Sequence, residues 1–339
     1  MTTTKENDAP TAPRTLALTM GDPAGVGPEI ICRALISMTP AERARVLVVG
    51  HEETMQRAAH VVGADLNFGE TVRSEADIRL VHVNSPEVER VEPGVASAAG
   101  GAAAYAYVYR SVELALSGRV GAIVTAPLNK SALHAAGYKF DGHTGLLQSL
   151  TKAPSSFMLL AGARLSTIHV STHVSLQDAI TRTRADRILQ TIEAGVAHLR
   201  ELGIQSPRIA VAGLNPHAGE GGMFGNQELT EIEPAVVAAR SKGITVTGPL
   251  PPDSVFLRAS QGEFDLVVAM YHDQGHIPTK LLAFDTTVNV SLGLPIKRTS
   301  VDHGTAFDIA WKGIARSENM VAAIEYAHRM IGANRADAG

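Results

Sequence analysis

Short apolar runs alternate with helical segments along most of the chain, and this alternation restricts the fold more than any other feature. The runs at 15–20, 46–49, 78–83 and 120–125 have strand length, and segments of helical periodicity separate them. Residues 120–125 are apolar on both faces, as a strand buried in a parallel sheet must be. Strands alternating with helices predict an α/β protein with a mostly parallel sheet, whose functional loops lie at the strands' carboxyl ends. Helices are expected over 29–36, 51–62, 96–116, 186–202, 227–242, 305–312 and 319–331, and 157–160 and 165–170 read as adjacent strands.

Composition removes several function classes. The net charge of −4 gives no broad basic field, so nucleic acid is not an expected partner. No apolar run is long enough to span a bilayer. The single Cys32 rules out an internal disulfide framework and fits a reducing compartment. Residues 1–13 are polar and contain prolines without an apolar core, so they read as a disordered tail rather than a signal peptide. A cytoplasmic protein is the expectation. At 339 residues, the chain suits one large unit or two medium ones.

The first strand runs into Gly21-Asp22-Pro23-Ala24-Gly25-Val26-Gly27-Pro28-Glu29, a tight turn with proline at the start of a helix. A dinucleotide fingerprint would need glycine at position 30, where Ile30 stands. The loop therefore reads equally well as a plain strand-to-helix turn.

Chemistry concentrates later. Three times an apolar strand ends and a histidine follows within a few residues: His173, His217 and His272. The carboxyl ends of neighbouring parallel strands share a rim, so these imidazoles could meet there and bind a divalent first-row metal such as zinc, cobalt, nickel or manganese. The plainer alternative is that each is a polar strand-end residue satisfied by backbone groups. His276, one turn beyond His272, reads as a supporting contact, a substrate contact or an exposed residue. Lys280 and Arg298 near the third histidine suit a phosphate or carboxylate, with Asn289, His143 and Thr144 as neutral partners; Lys297 reads as an ordinary surface cation.

The segments TMGDPAGVGPEI, DGHTG, GLNPHAGEGG, GPLPPD, YHDQGHIPTK and VNVSLGLPIKRTSVDHGTA, in this order, resemble the 4-hydroxythreonine-4-phosphate dehydrogenase family of the vitamin B6 pathway, from about Arg14 to Ile331. The resemblance implies a two-domain α/β/α fold of the isocitrate and isopropylmalate dehydrogenase type, with mixed, mostly parallel sheets and an active site in the interdomain cleft. The first domain would comprise 14–128 plus 300–336 and the second 129–299. It further implies a homodimer with the site near the subunit interface, NAD or NADP as cofactor, and one divalent metal per subunit (zinc, cobalt, nickel, manganese or magnesium).

By motif, the metal ligands fall on His173, His217 and His272, and the substrate contacts on His143, Thr144, Lys280, Asn289 and Arg298. Lys280 and His143 are the candidate proton carriers. Asp302, His303, Gly304, Thr305 and Asp308 resemble the adenosine-side loop of isopropylmalate dehydrogenases. The implied reaction is oxidative decarboxylation of 4-hydroxythreonine 4-phosphate to 3-amino-2-oxopropyl phosphate. The segment His276-Ile277-Pro278-Thr279 departs from the biosynthetic pattern and is similar to the branch that acts on D-threonate or D-erythronate 4-phosphate. A metal-dependent hydrolase and a non-catalytic phospho-ligand binding protein are the readings from other classes.

Overall fold

The computed structural model describes residues 14–332, so the expected tail 1–13 and positions 333–336 of the first expected unit lie outside the described residues. The strands are β1 (Leu16–Thr19), β2 (Val46–Gly50), β3 (Asn67–Gly69), β4 (Asp77–His82), β5 (Ala122–Thr125), β6 (Phe157–Ala161), β7 (Ser166–His169), β8 (Ile209–Ala212), β9 (Val246–Leu250), β10 (Leu266–Ala269), β11 (Val288–Leu292) and β12 (Arg298–Ser300). They form one twelve-stranded sheet in the order β3-β4-β2-β1-β5-β12-β11-β6-β7-β10-β8-β9. Every residue of β1, β2, β5, β8 and β10 is buried, which is why their sequences are apolar on both faces.

The direction of pairing decides where the site lies. From β3 to β12 all neighbours are parallel, and so are β7, β10, β8 and β9. Between the two wings, β11 and β6 pair antiparallel with each other, with β12 and with β7. Three reversals leave the wings running in opposite senses. The strand ends after β7, β10 and β8 therefore share one rim, whereas the end of β5 lies on the other.

Helices cover both faces. The long helix Ala98–Leu116 is rich in alanine and glycine because it packs tightly: a Cβ on Gly101 would sit 2.1 Å from the Ala132 carbonyl oxygen of the helix Lys130–Ala135. Among the described residues no helix is long and apolar enough to cross a membrane.

Several local expectations change. Residues 305–312 are not a helix but a series of turns with Ala306 at φ 44° and Trp311 at φ 62°. The buried Glu29 carboxylate accepts the N–H groups of Trp311 and Gly313, so a side chain replaces the helical ladder there. The helix after DGHTG starts at His143, placing His143 and Thr144 in its first turn. The expected helix 227–242 opens with a π-turn, Glu228–Ile232, before Glu233–Ser241. The GPLPPD loop is strand β9 followed at once by the helix Pro252–Ser260.

One buried contact between helices makes stability depend on pH. His198 in the helix Ala185–Glu201 meets the Tyr326 hydroxyl at 2.8 Å, and burial, reinforced by Lys297 and Arg329, lowers its pKa to about 4. A histidine held neutral contributes stability that is fully present above its unfolded value near 6.5 and is lost as pH falls to 4, on the order of 3 kcal/mol. Thermal melts of His198→Asn should show a shallower fall in Tm across that window than the wild type; equal slopes would remove His198 as the cause.

Candidate active site

The pocket opens where the sheet changes sense. Thr125 at the end of β5, Arg298 and Ser300 on β12, Asn289 on β11 and Met158 on β6 form one wall. The helix His143–Thr151 contributes His143 and Thr144, and the helix His272–Ala283 contributes His272, His276 and Lys280. His173 closes one side after β7, and Asp302, His303 and Gly304 follow β12 on another. His217, Thr305 and Asp308 are absent from the wall. Thr305 is buried against the first glycine loop, where its carbonyl accepts the Val26 N–H at 3.0 Å.

Arg298 dominates the electrostatics. Its side chain is 2% exposed, and it donates to Thr125 Oγ1 from Nε at 3.2 Å and from Nη2 at 2.7 Å, and to Ser291 Oγ from Nη1 at 3.0 Å. No carboxylate among the described residues pairs with it. Burial lowers its pKa to about 9, which leaves it protonated at neutral pH. A buried, charged guanidinium supported only by hydroxyls fits an anionic ligand. Beside it, His143 Nε2 and Asn289 Oδ1 are buried without a hydrogen-bond partner among the described residues. Burial, with Arg298 adding repulsion, holds His143 well below its usual pKa and therefore neutral. Lys280 Nζ lies 3.1 Å from Asp302 Oδ2; burial raises the Asp302 pKa and the Lys280 charge opposes it.

The imidazoles on the other side form an ordered stack. His173 and His272 face each other with ring centres 5.6 Å apart. Burial first, then Lys130 and His272, lower the pKa of His173, favouring the neutral form that binds metals. His272 Nδ1 meets Asp273 Oδ1 at 2.7 Å, which directs its other nitrogen elsewhere. His276 is buried rather than exposed, 3.6 Å from His272 in a parallel stack. Its tautomer follows from the network. His169 Nδ1 must donate to the Met158 carbonyl at 3.1 Å, so His169 Nε2 accepts from His276 Nδ1, also at 3.1 Å. His276 therefore keeps its proton on Nδ1 and a lone pair on Nε2. A Cβ on Gly275 would come within 2.4 Å of His169 Nε2, which explains the glycine.

His217 is placed differently. It sits in the segment Pro216–Gly222, where His217, Ala218 and Glu220 adopt φ values of 52°, 53° and 43°. Such left-handed runs of non-glycine residues are strained and persist only where neighbours impose them. Glu228 does so, accepting the Leu214 and Asn215 N–H groups at 2.7 Å each, and Gln274 donates to the Gly213 carbonyl at 2.7 Å. The result holds His217 exposed beside Phe224.

Two imidazoles facing a polar pocket fit part of a divalent metal site, and the third expected ligand, His217, lies outside this chain's pocket. His303 and Gly304 are exposed at the pocket rim, and a Cβ on Gly304 would meet nothing within 4 Å. Thr125, Ser291 and His169 were not expected as site builders. Their importance depends on which strands pair, which no local motif records. Replacing Thr125 by valine should lower stability by about 2 kcal/mol, because two donors of a buried cation lose their acceptor. An unchanged Tm for Thr125→Val would show that Arg298 finds its support elsewhere.

Comparison with known proteins identifies the family. The profile of the family described as pyridoxal phosphate biosynthetic protein PdxA matches residues 42–327. A D-threonate 4-phosphate dehydrogenase of Salmonella typhimurium is 47% identical over 94% of this chain and 99% of its own. A 4-hydroxythreonine-4-phosphate dehydrogenase of Desulforapulum autotrophicum is 45% identical over 94% of this chain and 97% of its own. The crystal structure of a 4-hydroxythreonine-4-phosphate dehydrogenase from Klebsiella pneumoniae superposes with a TM-score of 0.84 at 45% identity, covering 94% of this chain and 99% of that one. A β-decarboxylating dehydrogenase from Thermococcus kodakarensis, at 13% identity and a TM-score of 0.51, shares the fold alone. The chain belongs to the PdxA family of dehydrogenases and is an oxidoreductase.

Proposed function

We propose that the chain oxidises the C3 hydroxyl of a 4-phosphorylated four-carbon hydroxy acid, with reduction of NAD or NADP and loss of CO2. The preferred substrate is D-threonate 4-phosphate, or its epimer D-erythronate 4-phosphate, which gives dihydroxyacetone phosphate. The observation that carries this reading is Arg298, a buried cation with no carboxylate partner among the described residues, beside the unpartnered His143 Nε2 and Asn289 Oδ1. The names of relatives such as those of Salmonella typhimurium and Pectobacterium atrosepticum favour the threonate acid. The Desulforapulum relative supports a second reading, 4-hydroxythreonine 4-phosphate giving 3-amino-2-oxopropyl phosphate.

A divalent metal would be held by His173 and His272 and would supply Lewis acidity, and a nicotinamide would supply the hydride acceptor. Arg298 grips the phosphate through paired N–H groups, and Lys280, Asn289 and Thr144 complete that end. Fixing the phosphate holds C3 at one place, so remote binding contributes positioning. His143, neutral and with Nε2 unpartnered, takes the C3 hydroxyl proton. Lys280, an ammonium beside Asp302, returns a proton to the enolate left by decarboxylation. His276 offers its Nε2 lone pair to the hydroxyl end of the acid.

The proposal includes a homodimer in which His217 completes the metal site of the second copy. The strained loop that holds His217 outward supports it, as do exposed apolar groups: Met223 is 74% exposed, and Ile277 and Leu281 on the helix His272–Ala283, with Phe284 at its C-cap, are exposed as well, Leu281 at 81%. It also keeps the division into 14–128 plus 300–336 and 129–299, supported by the reversal of sheet sense across β11 and β6.

The test is a rate comparison of D-threonate 4-phosphate, D-erythronate 4-phosphate and 4-hydroxy-L-threonine 4-phosphate with NAD and divalent metal, following NADH. D-threonate 4-phosphate or its epimer should give the highest kcat/KM. A higher value for the amino acid would select the second reading, and no NADH with any of the three would defeat both.

A further inference from the structure

The ends of β2 and β4 carry a second cluster that the dehydrogenase reading leaves unused. His51 directly follows β2, Glu53 lies in the first turn of the helix Glu52–Val62, and His82 ends β4. The two strands are parallel neighbours with Gly50 opposite His82, so the imidazoles come to rest with ring centres 5.1 Å apart. One donor atom from each of His51, Glu53 and His82 lies within 4.8 Å of the other two. Among the described residues, no other group of three or more histidine, cysteine or carboxylate side chains gathers this closely.

We propose that His51, Glu53 and His82 bind a divalent first-row cation, zinc by preference, at a site separate from the substrate pocket. Two imidazoles and a carboxylate are a zinc donor set, and three protein donors leave one tetrahedral position for water. His51 is prepared for the role: its Nδ1 meets Thr54 Oγ1 at 3.0 Å, which leaves Nε2, 3.0 Å from Glu53 Oε2, to face the cation. A plain His51–Glu53 ion pair accounts poorly for the arrangement. His51 is buried and His82 packs against its ring, a contact that an ion pair with Glu53 does not need. Glu52 and Glu89 also act on His51, so carboxylates outnumber cations around it. His82 is exposed, and the Glu52 N–H reaches its Nδ1 only at a long 3.3 Å, a contact the cation displaces. The bound ion would tie the turn after β2 to the end of β4, a structural role.

Full-length protein carrying His173→Ala and His272→Ala, stripped with chelator and shown folded by circular dichroism, is titrated calorimetrically with Zn2+ alone. This background removes the pocket histidines, so failure of the dehydrogenase reading does not affect the result. It should take up a single Zn2+ per chain, and adding His82→Ala should weaken uptake on the order of a hundredfold. If His82→Ala does not fold, Glu53→Gln serves in its place with the same expectation. No uptake by the folded background protein would overturn the proposal, as would uptake unchanged by either added substitution.

Discussion

The site depends on one costly act, the burial of the Arg298 guanidinium. Removing such a charge from water costs several kcal/mol even after relaxation, and no carboxylate among the described residues offsets it. Instead the charge rests on Thr125 from β5 and Ser291 from β11, the strands on either side of its own β12. A cation held this way supports the proposed anion site, because an anion would supply the missing compensation. The reversal of sheet sense at β11 is what lets hydroxyls from both neighbours converge on it.

That reversal also brings two unlike sets of groups together. One wing ends in the histidine rim after β7 and β10, and the other contributes the strand end of β5 and the loop after β12. The helix His272–Ala283 joins them, with His272 at one end facing His173 and Lys280 one end nearer Asp302. His169 and Gly275 fix this helix against β7, since only a glycine lets the backbone pass so close to the His169 ring. Proton positions on His169 and His276 then follow from a single carbonyl, that of Met158.

The buried strands and most helices were legible in the sequence because apolar periodicity records burial directly. So were His143, Lys280, Asn289 and Arg298, through motifs that stay intact over the whole chain. What was not legible required pairing information. Thr125 and Ser291 are unremarkable residues until register places them beside Arg298. His276 stayed open between a contact and an exposed residue because its partner His169, which it meets by a hydrogen bond, lies more than a hundred residues away in sequence. The turn series at 305–312 has helical composition but is captured by Glu29, and the exposure of His217 reflects a left-handed run that its sequence does not announce.

The central claim is that Arg298 recognises the phosphate, and steady-state kinetics of Arg298→Ala with D-threonate 4-phosphate and with unphosphorylated D-threonate measures it most directly. The wild type should prefer the phosphorylated acid strongly. Arg298→Ala should lose roughly a hundredfold or more in kcat/KM for the phosphorylated acid, with little change for the other. An equal loss for both acids would contradict the account.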